Sequence, residues 1–372
     1  MQKVIVIPDS FKGSLDSRQV ANIIAEEIVA GNPACTVVRM PIADGGEGSA
    51  EAIISAVGGR IEEAQVLSPD DRLITAKYGI TVQGQAVLEV AESSGVTKQI
   101  GLHPMTSSTY GFGQLMCHAL ELGLRDFLLC IGGSATTDAG CGMAAALGVR
   151  FFDKNGVGFV PNGARLKDIA HIDVSGMDMR VRESSFTVMC DVDNPLFGPN
   201  GAASVYGPQK GADYGEVRIL EEGLRQVSKV FLKVFGPGSD YAHTPGAGAA
   251  GGLGFGCMTF LKAKHVRGID AILDLCDFKG QLANTDLIIT GEGRLDSQSF
   301  AGKALSGILR SARDIPVIAI CGVCSAKEGL LREHDLRVFE TSEGTSIKES
   351  LKDPERYLRL ATQKAMQIAL HH

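Results

Sequence analysis

Two carboxylates one residue apart, Asp191 and Asp193, stand in the segment CDVDNP, directly after the apolar run FTVMC. Such a pair can hold Mg2+ together with waters, or one member can take a proton from a hydroxyl. The plainer alternative is an Asp and an Asn capping the turn before Pro195. A second constellation, GGSATTDAGCGMA (residues 132–144), lies between a strand-like run and a helix-like run. The bare N–H groups of Gly132 and Gly133, the hydroxyls of Ser134, Thr136 and Thr137, and a following helix N-terminus are the parts of an anion cradle. GAGAAG, with Gly246, Gly248 and Gly251, supplies a second flexible backbone run. Lys12, Lys210 (in GPQKGA) and Arg294 are candidate cations for a phosphate or a substrate carboxylate. Asp9 and Ser14 follow the first strand, Asp44 and Glu47 sit in ADGGEG, and Glu292 sits in GEGR. These carboxylates suit metal or substrate hydroxyls. Positioning, metal, charge neutralisation and a base are the set that phosphoryl transfer requires.

Several sharper motifs fail on context. GAGAAG matches the dinucleotide pattern GxGxxG, and Asp270 follows at about the usual spacing, but the pattern must follow a strand. The preceding residues, GPGSDYAHTP, do not read as one. The Walker pattern is absent, because the Gly302-Lys303 pair is followed by Ala304 and has Ser297 where the first glycine belongs. Cys321 and Cys324 form a CxxC without a second pair for zinc and outside a thioredoxin-like setting.

The elements that must position these residues can be read from periodicity. Lys3–Pro8 reads as a buried strand. A helix follows, with Asp16 and Gln19 spaced as a capping box and Val20, Ile23, Ile24 and Ile28 on one face. Another strand and helix complete an opening typical of a parallel sheet with helical crossovers. From Arg60 to Glu92 the texture changes to a meander of three strand-like runs. A long helix is expected over about 216–235. From Asp286 the strand–helix alternation returns with LIIT, VIAI and LRVFE, and a last helix runs to the C-terminus. The expected architecture is α/β: a discontinuous parallel-sheet domain over 1–60 and 284–372, with a second, mixed α/β domain over 61–283 inserted into it. Ligands of open parallel sheets bind beyond the carboxyl ends of the strands. LIIT and VIAI are expected to end there, leaving GEGR and Cys321-Gly322 in loops.

Composition narrows the class. The 372 residues carry a net charge of −7, which argues against a bulk nucleic-acid binder. The nine cysteines are odd in number and dispersed, unlike a disulfide framework. No basic leader with an apolar run opens the chain, and no run approaches the ~20 apolar residues of a membrane helix, so the chain reads as cytoplasmic. The 46 glycines exceed the usual share of about 7%, and twenty of them fall in five short segments (43–48, 132–142, 198–215, 246–256 and 291–293). Those segments are the expected phosphate-binding loops.

PDSFKGS, IADGGEG, GGSATTDAGCGMA, CDVDNPLFGPNGA, GPQKGA, PGAGAAGGLGFG and TGEGRLDSQS, in that order, resemble the type-1 glycerate kinase family of bacteria. The resemblance spans essentially the whole chain. It implies ATP- and Mg2+-dependent phosphorylation of D-glycerate, commonly to 2-phosphoglycerate, in a cleft between two domains. It also implies a discontinuous flavodoxin-like domain and an inserted domain of restriction-enzyme-like core. The resemblance carries over no individual roles; from local chemistry, Asp191 or Asp193 is expected to be the base, or one the base and the other a Mg2+ ligand. Lys12, Ser14 and Arg294 bind anionic oxygens, with Lys12 also counted as catalytic. Asp9, Asp44, Glu47 and Glu292 serve substrate or metal. Residues 132–137, Lys210 and the Gly246–Gly251 loop serve ATP. The residues leave two rivals open: a nicotinamide-dependent oxidoreductase of a small hydroxy acid, and a non-catalytic organic-acid-binding protein.

Overall fold

The computed structural model describes residues 1–11, 13–40, 42, 45–300 and 304–369. Along the chain its strands are β1 (Lys3–Pro8), β2 (Thr36–Arg39), β3 (Gly59–Leu67), β4 (Leu73–Thr81), β5 (Gln85–Glu89), β6 (Asp126–Cys130) and β7 (Arg150–Phe152). They continue with β8 (Gly158–Phe159), β9 (His171–Asp173), β10 (Ser185–Met189), β11 (Lys264–Val266), β12 (Leu287–Leu295), β13 (Val317–Cys324) and β14 (Arg337–Glu340). Contacts divide the chain into two compact units, one of residues 1–43, 55–57 and 267–372, the other of 44–54 and 58–266.

The first unit holds a five-stranded sheet in the order β2-β1-β12-β13-β14, all parallel. This is the flavodoxin-like order of a doubly wound sheet. Side chains of a strand alternate between faces, so the run Val4-Ile5-Val6-Ile7 serves two cores. Val4 and Val6 pack with Ile24, Ile28, Leu358 and Ala365 of the helices Ser17–Gly31 and Pro354–Ala369. Ile5 and Ile7 pack with Ile269, Leu273 and Ile308 on the opposite face. Burial on both faces is why the strand is apolar throughout. The capping box of Asp16 and Gln19 forms as expected, each side chain accepting from the other residue's backbone N–H.

The second unit holds a six-stranded mixed sheet, β11-β10-β6-β5-β4-β3. The first four strands are parallel, and the expected meander forms its antiparallel edge. The helix Tyr214–Phe235 lays Leu220, Leu224, Val227 and Phe231 into this unit's core. It starts two residues earlier than expected because Asp213 and Glu216 form its capping box. A small antiparallel sheet, β8-β7-β9, was not expected from the sequence; its strands of two and three residues are too short to carry a periodic signal. Residues 44–54 fall with the second unit and 267–283 with the first, so the contacts differ from the boundaries expected from texture. Among the described residues no helix is long and apolar enough to cross a membrane.

Two further expectations are corrected. β12 does not stop at Thr290. It runs on to Leu295, with Glu292 opposite Cys321 and Arg294 opposite Val323. GEGR is therefore strand, and so is the CxxC of β13. Close backbone approach accounts for two of these glycines: a Cβ on Gly291 would stand 2.1 Å from the Ile320 carbonyl oxygen, and one on Gly322 would stand 2.4 Å from that of Gly293. Gly291→Ala is expected to destabilise the protein by about 1–3 kcal/mol, the usual cost of overpacking. Gly31→Ala, at a helix end with open space around it, is expected to be neutral or mildly stabilising. Thermal unfolding of the two variants checks the pair.

Candidate functional site

The carboxyl ends of β5, β6 and β10 in the second unit carry Glu89, the segment from Gly132 and the segment from Cys190. A fourth segment, Gly45–Ala50, is fastened to the same ends. Gly132 donates its N–H to the Gly45 carbonyl at 2.9 Å. The Cβ position of Gly45 lies 3.3 Å from Met189 Cβ. Glu89, only 3% exposed, accepts from Gly48 N (2.8 Å) and Ala50 N (2.5 Å). Burial pushes its carboxyl up to about 7; the two backbone N–H groups oppose the shift, and the charges of Glu92 and Glu47 add to it. Glu47 itself is exposed.

The segment 132–142 is shaped by two buried ionisable side chains, its own Asp138 and Lys210. Asp138, fully buried, accepts from Thr109 N (2.7 Å), Thr109 Oγ1 (2.8 Å), Gly140 N (3.1 Å) and Gly142 N (3.2 Å). Burial raises its pKa against the pull of those donors. Lys210, 4% exposed, donates through Nζ to Ser134 Oγ (2.9 Å) and to the Thr136 carbonyl (2.6 Å). Burial lowers its pKa to about 7, against the opposing charge of Asp138.

Ser134, Thr136 and Thr137 are buried, and the hydroxyls of Thr136 and Thr137 have no hydrogen-bond partner among the described residues. Of the expected cradle, Gly132 is half-buried and Gly133 exposed. The buried members and Lys210 build the turn, and the two glycines present it.

The segment 244–252 closes over this turn. A Cβ on Gly251 would stand 2.0 Å from the Thr136 carbonyl oxygen, and one on Gly248 would stand 2.2 Å from that of Pro195. Ala139 donates its N–H to the Gly251 carbonyl at 3.1 Å, and Gly248 donates to that of Asn194 at 2.8 Å. Ala250, Gly251 and Gly252 take left-handed φ values of 53°, 69° and 89°. The glycines of GAGAAG thus seat one loop on two others, and no strand precedes them: Pro237–Ser239 is a 3-10 turn followed by further turns. The dinucleotide fingerprint lacks its required context.

Asp191 and Asp193 are both exposed on the segment after β10. Asn194 anchors that segment. Its Nδ2 donates to the Asn200 carbonyl at 2.8 Å, and Tyr206 donates its hydroxyl to Asn194 Oδ1 at 2.6 Å.

Asp9, Ser14, Glu292 and Arg294 belong to the first unit. Asp9 donates its N–H to the Gly291 carbonyl at 2.7 Å, and Asp9 Oδ1 accepts from Ser10 N at 2.6 Å. The Ser14 hydroxyl donates to the Phe11 carbonyl at 2.9 Å, closing a tight turn. Glu292 is half-buried and Arg294 exposed. Lys12 and Asp44 lie outside the described residues.

Among the described residues no group of three or more His, Cys, Asp or Glu side chains is placed to hold a metal ion. Mg2+ is commonly bound by one or two carboxylates, waters and substrate phosphates, and the exposed pair Asp191 and Asp193 fits that mode. Cys321 and Cys324 are free thiols in one strand, and residues three apart on a strand face opposite sides, so they do not form a redox pair. Glu89 was not expected as a site residue. Its one sequence signal was an acid closing the apolar run QAVLE, which is also how an ordinary strand ends.

The chain matches the Glycerate kinase family over residues 4–370. It belongs to the glycerate kinase family. It is 41% identical over 342 residues to a glycerate kinase of Bacillus subtilis (strain 168), covering 90% of this chain and 88% of that one. It is 38% identical over 353 residues to the glycerate 2-kinase of Escherichia coli (strain K12), covering 92% of both. A crystal structure of a candidate glycerate kinase 2 from Salmonella typhimurium LT2 superposes with a TM-score of 0.86 at 33% identity, covering 100% of this chain and 98% of that one. Membership of the glycerate kinase family makes the chain a kinase.

Lys210→Met removes the donor to Ser134 and Thr136 and is expected to cost about 1–3 kcal/mol. Between pH ~7 and the ordinary lysine value of 10.5 the folded protein binds fewer protons than the unfolded chain, so wild-type stability gains with pH in that window. Methionine has no such proton, and contributions common to both proteins cancel in the difference. The stability gap between wild type and variant is therefore expected to widen from pH 7 to pH 9 in urea denaturation; an unchanged gap would contradict a lowered Lys210 pKa.

Proposed function

We propose that this protein transfers the γ-phosphoryl group of ATP to the 2-hydroxyl of D-glycerate, with Mg2+, in the cytoplasm. The observation that carries the reading is the pair Asp191 and Asp193, exposed at the end of β10 in a chain so similar to the E. coli glycerate 2-kinase. One of these carboxylates accepts the hydroxyl proton as the new O–P bond forms and the bond from the γ-phosphorus to the ADP oxygen breaks. The other carboxylate, with waters, is suited to hold Mg2+. When bound, the ion neutralises charge on the transferring phosphate oxygens.

The exposed Gly133 offers its N–H to nucleotide phosphate, Gly132 ties the turn to Gly45 through its own N–H, and the buried Ser134, Thr136, Thr137 and Lys210 hold that turn in shape. Gly246, Gly248 and Gly251 support it from the other side. Glu47 takes a substrate hydroxyl. Asp9, Lys12, Ser14, Asp44, Glu292 and Arg294 serve the anionic oxygens and hydroxyls of the substrates. The oxidoreductase reading loses its support with the missing strand before Gly246.

Incubation with D-glycerate, ATP and Mg2+ is expected to release ADP, and phosphorus NMR is expected to identify 2-phosphoglycerate as product. The 3-phosphate would refute the regiochemistry, and no ADP across small hydroxy acids would refute the substrate class. Asp191→Asn and Asp193→Asn are each expected to lower kcat at least ~100-fold, the low end for loss of acid–base function. Near-normal turnover in both folded variants would remove the pair from the mechanism.

A further inference from the structure

The helix Ser49–Val57 begins without a cap of its own. Gly48 occupies the capping position with φ of 85° and no side chain to accept the first-turn N–H groups. Those groups are otherwise orphans. The acceptor comes from β5 instead, some forty residues on in sequence: both oxygens of Glu89 are used, one on Gly48 N at 2.8 Å and one on Ala50 N at 2.5 Å. A carboxylate at a helix N-terminus is also favoured by the helix dipole. Burying a carboxylate is costly, but a side-chain cap at position 48 is disfavoured because the φ of 85° there suits glycine. A local cap would not tie the segment to the sheet. Glu89 does so, because it is the last residue of β5, in register with Cys130 of β6. The segment is then held at two points: Gly45 carbonyl to Gly132 N, and Gly48 and Ala50 N to Glu89. Between them stands the exposed Glu47.

We infer that Glu89 is a positioning residue for phosphoryl transfer: its carboxylate pins the Gly45–Ala50 segment to the carboxyl end of β5 and so fixes Glu47 beside Gly132. The inference rests on the reading of these loops as the site, with Glu47 on a substrate hydroxyl. Its raised pKa agrees with a carboxylate buried for geometry rather than stability.

Glu89→Gln keeps the size and one acceptor oxygen but turns an amide N–H toward a backbone N–H. It is expected to fold, and hydrogen exchange over residues 45–50 is expected to quicken roughly tenfold or more, the factor that losing one hydrogen bond to a charged group brings. Exchange elsewhere is expected to stay unchanged. KM for D-glycerate is expected to rise by a similar factor, with a much smaller change in kcat. Glu89→Asp, which keeps both oxygens on a shorter arm, is expected to restore part of both losses and serves if the Gln variant does not fold. Glu92→Gln removes the neighbouring charge, which pairs with Lys98, and is expected to leave exchange at 45–50 unchanged.

Unchanged exchange in Glu89→Gln would overturn the inference whatever the substrate. Equal loosening in Glu92→Gln would overturn it too, as would loosened exchange with unaltered KM. A wild-type protein inactive on D-glycerate would refute the proposed substrate instead, and exchange alone would then decide whether Glu89 pins the segment.

Discussion

At the carboxyl ends of β6 and β10, backbone packs directly on backbone. Thr136 and Pro195 carbonyls lie where side chains on Gly251 and Gly248 would have to stand, and Gly254 and Gly256 similarly meet the carbonyls of Gly246 and Ala139, at 2.1 and 2.5 Å from their Cβ positions. Three segments far apart in sequence are thereby brought within hydrogen-bonding reach: Ala139 reaches Gly251, and Gly248 reaches Asn194. The arrangement of these three segments depends on this contact. The segments of Gly132 and of Asp191 leave the ends of the paired strands β6 and β10.

Such a frame leaves buried polar groups that must be satisfied. Asp138 answers with four donors, Lys210 with two acceptors and Glu89 with two backbone N–H groups. Each carries a burial penalty, visible in raised carboxyl and lowered ammonium pKa values. An apolar substitute would not order a turn made of glycines, because such a turn has few side chains to pack. Hydrogen bonds from buried ionisable side chains specify its conformation instead. The twenty clustered glycines therefore have two duties. Gly133 is exposed, whereas Gly132, Gly248, Gly251 and Gly291 make room for neighbouring carbonyls and Gly246 for the His265 ring and the Cys190 sulfur.

What could be read along the chain was local. The Asp16–Gln19 capping box, the four-residue apolar stretch of β1 and the meander are set by contacts a few residues apart, and each formed as expected. The extension of β12 was illegible, because GEGR has a loop's composition and stays extended only through pairing with β13. The three short strands β7, β8 and β9 escaped for want of length. Seven ordered motifs pointed to the family, and the match over residues 4–370 bears that out.

The amino-acid sequence by itself determined the class of elements, the parallel alternation at both ends and the inventory of carboxylates, glycines and cations, because periodicity and capping act over one or two turns. Only the tertiary structure decided which members of that inventory face outward. Lys210, Thr136 and Thr137 have the same composition signal as Gly132 and Asp191, yet the first three are buried under a turn while Gly132 is part-exposed and Asp191 is open to solvent. Burial depends on which distant segments pack on a residue, and Glu89, reaching back some forty positions to cap a helix, is legible only once β5 and that helix have met.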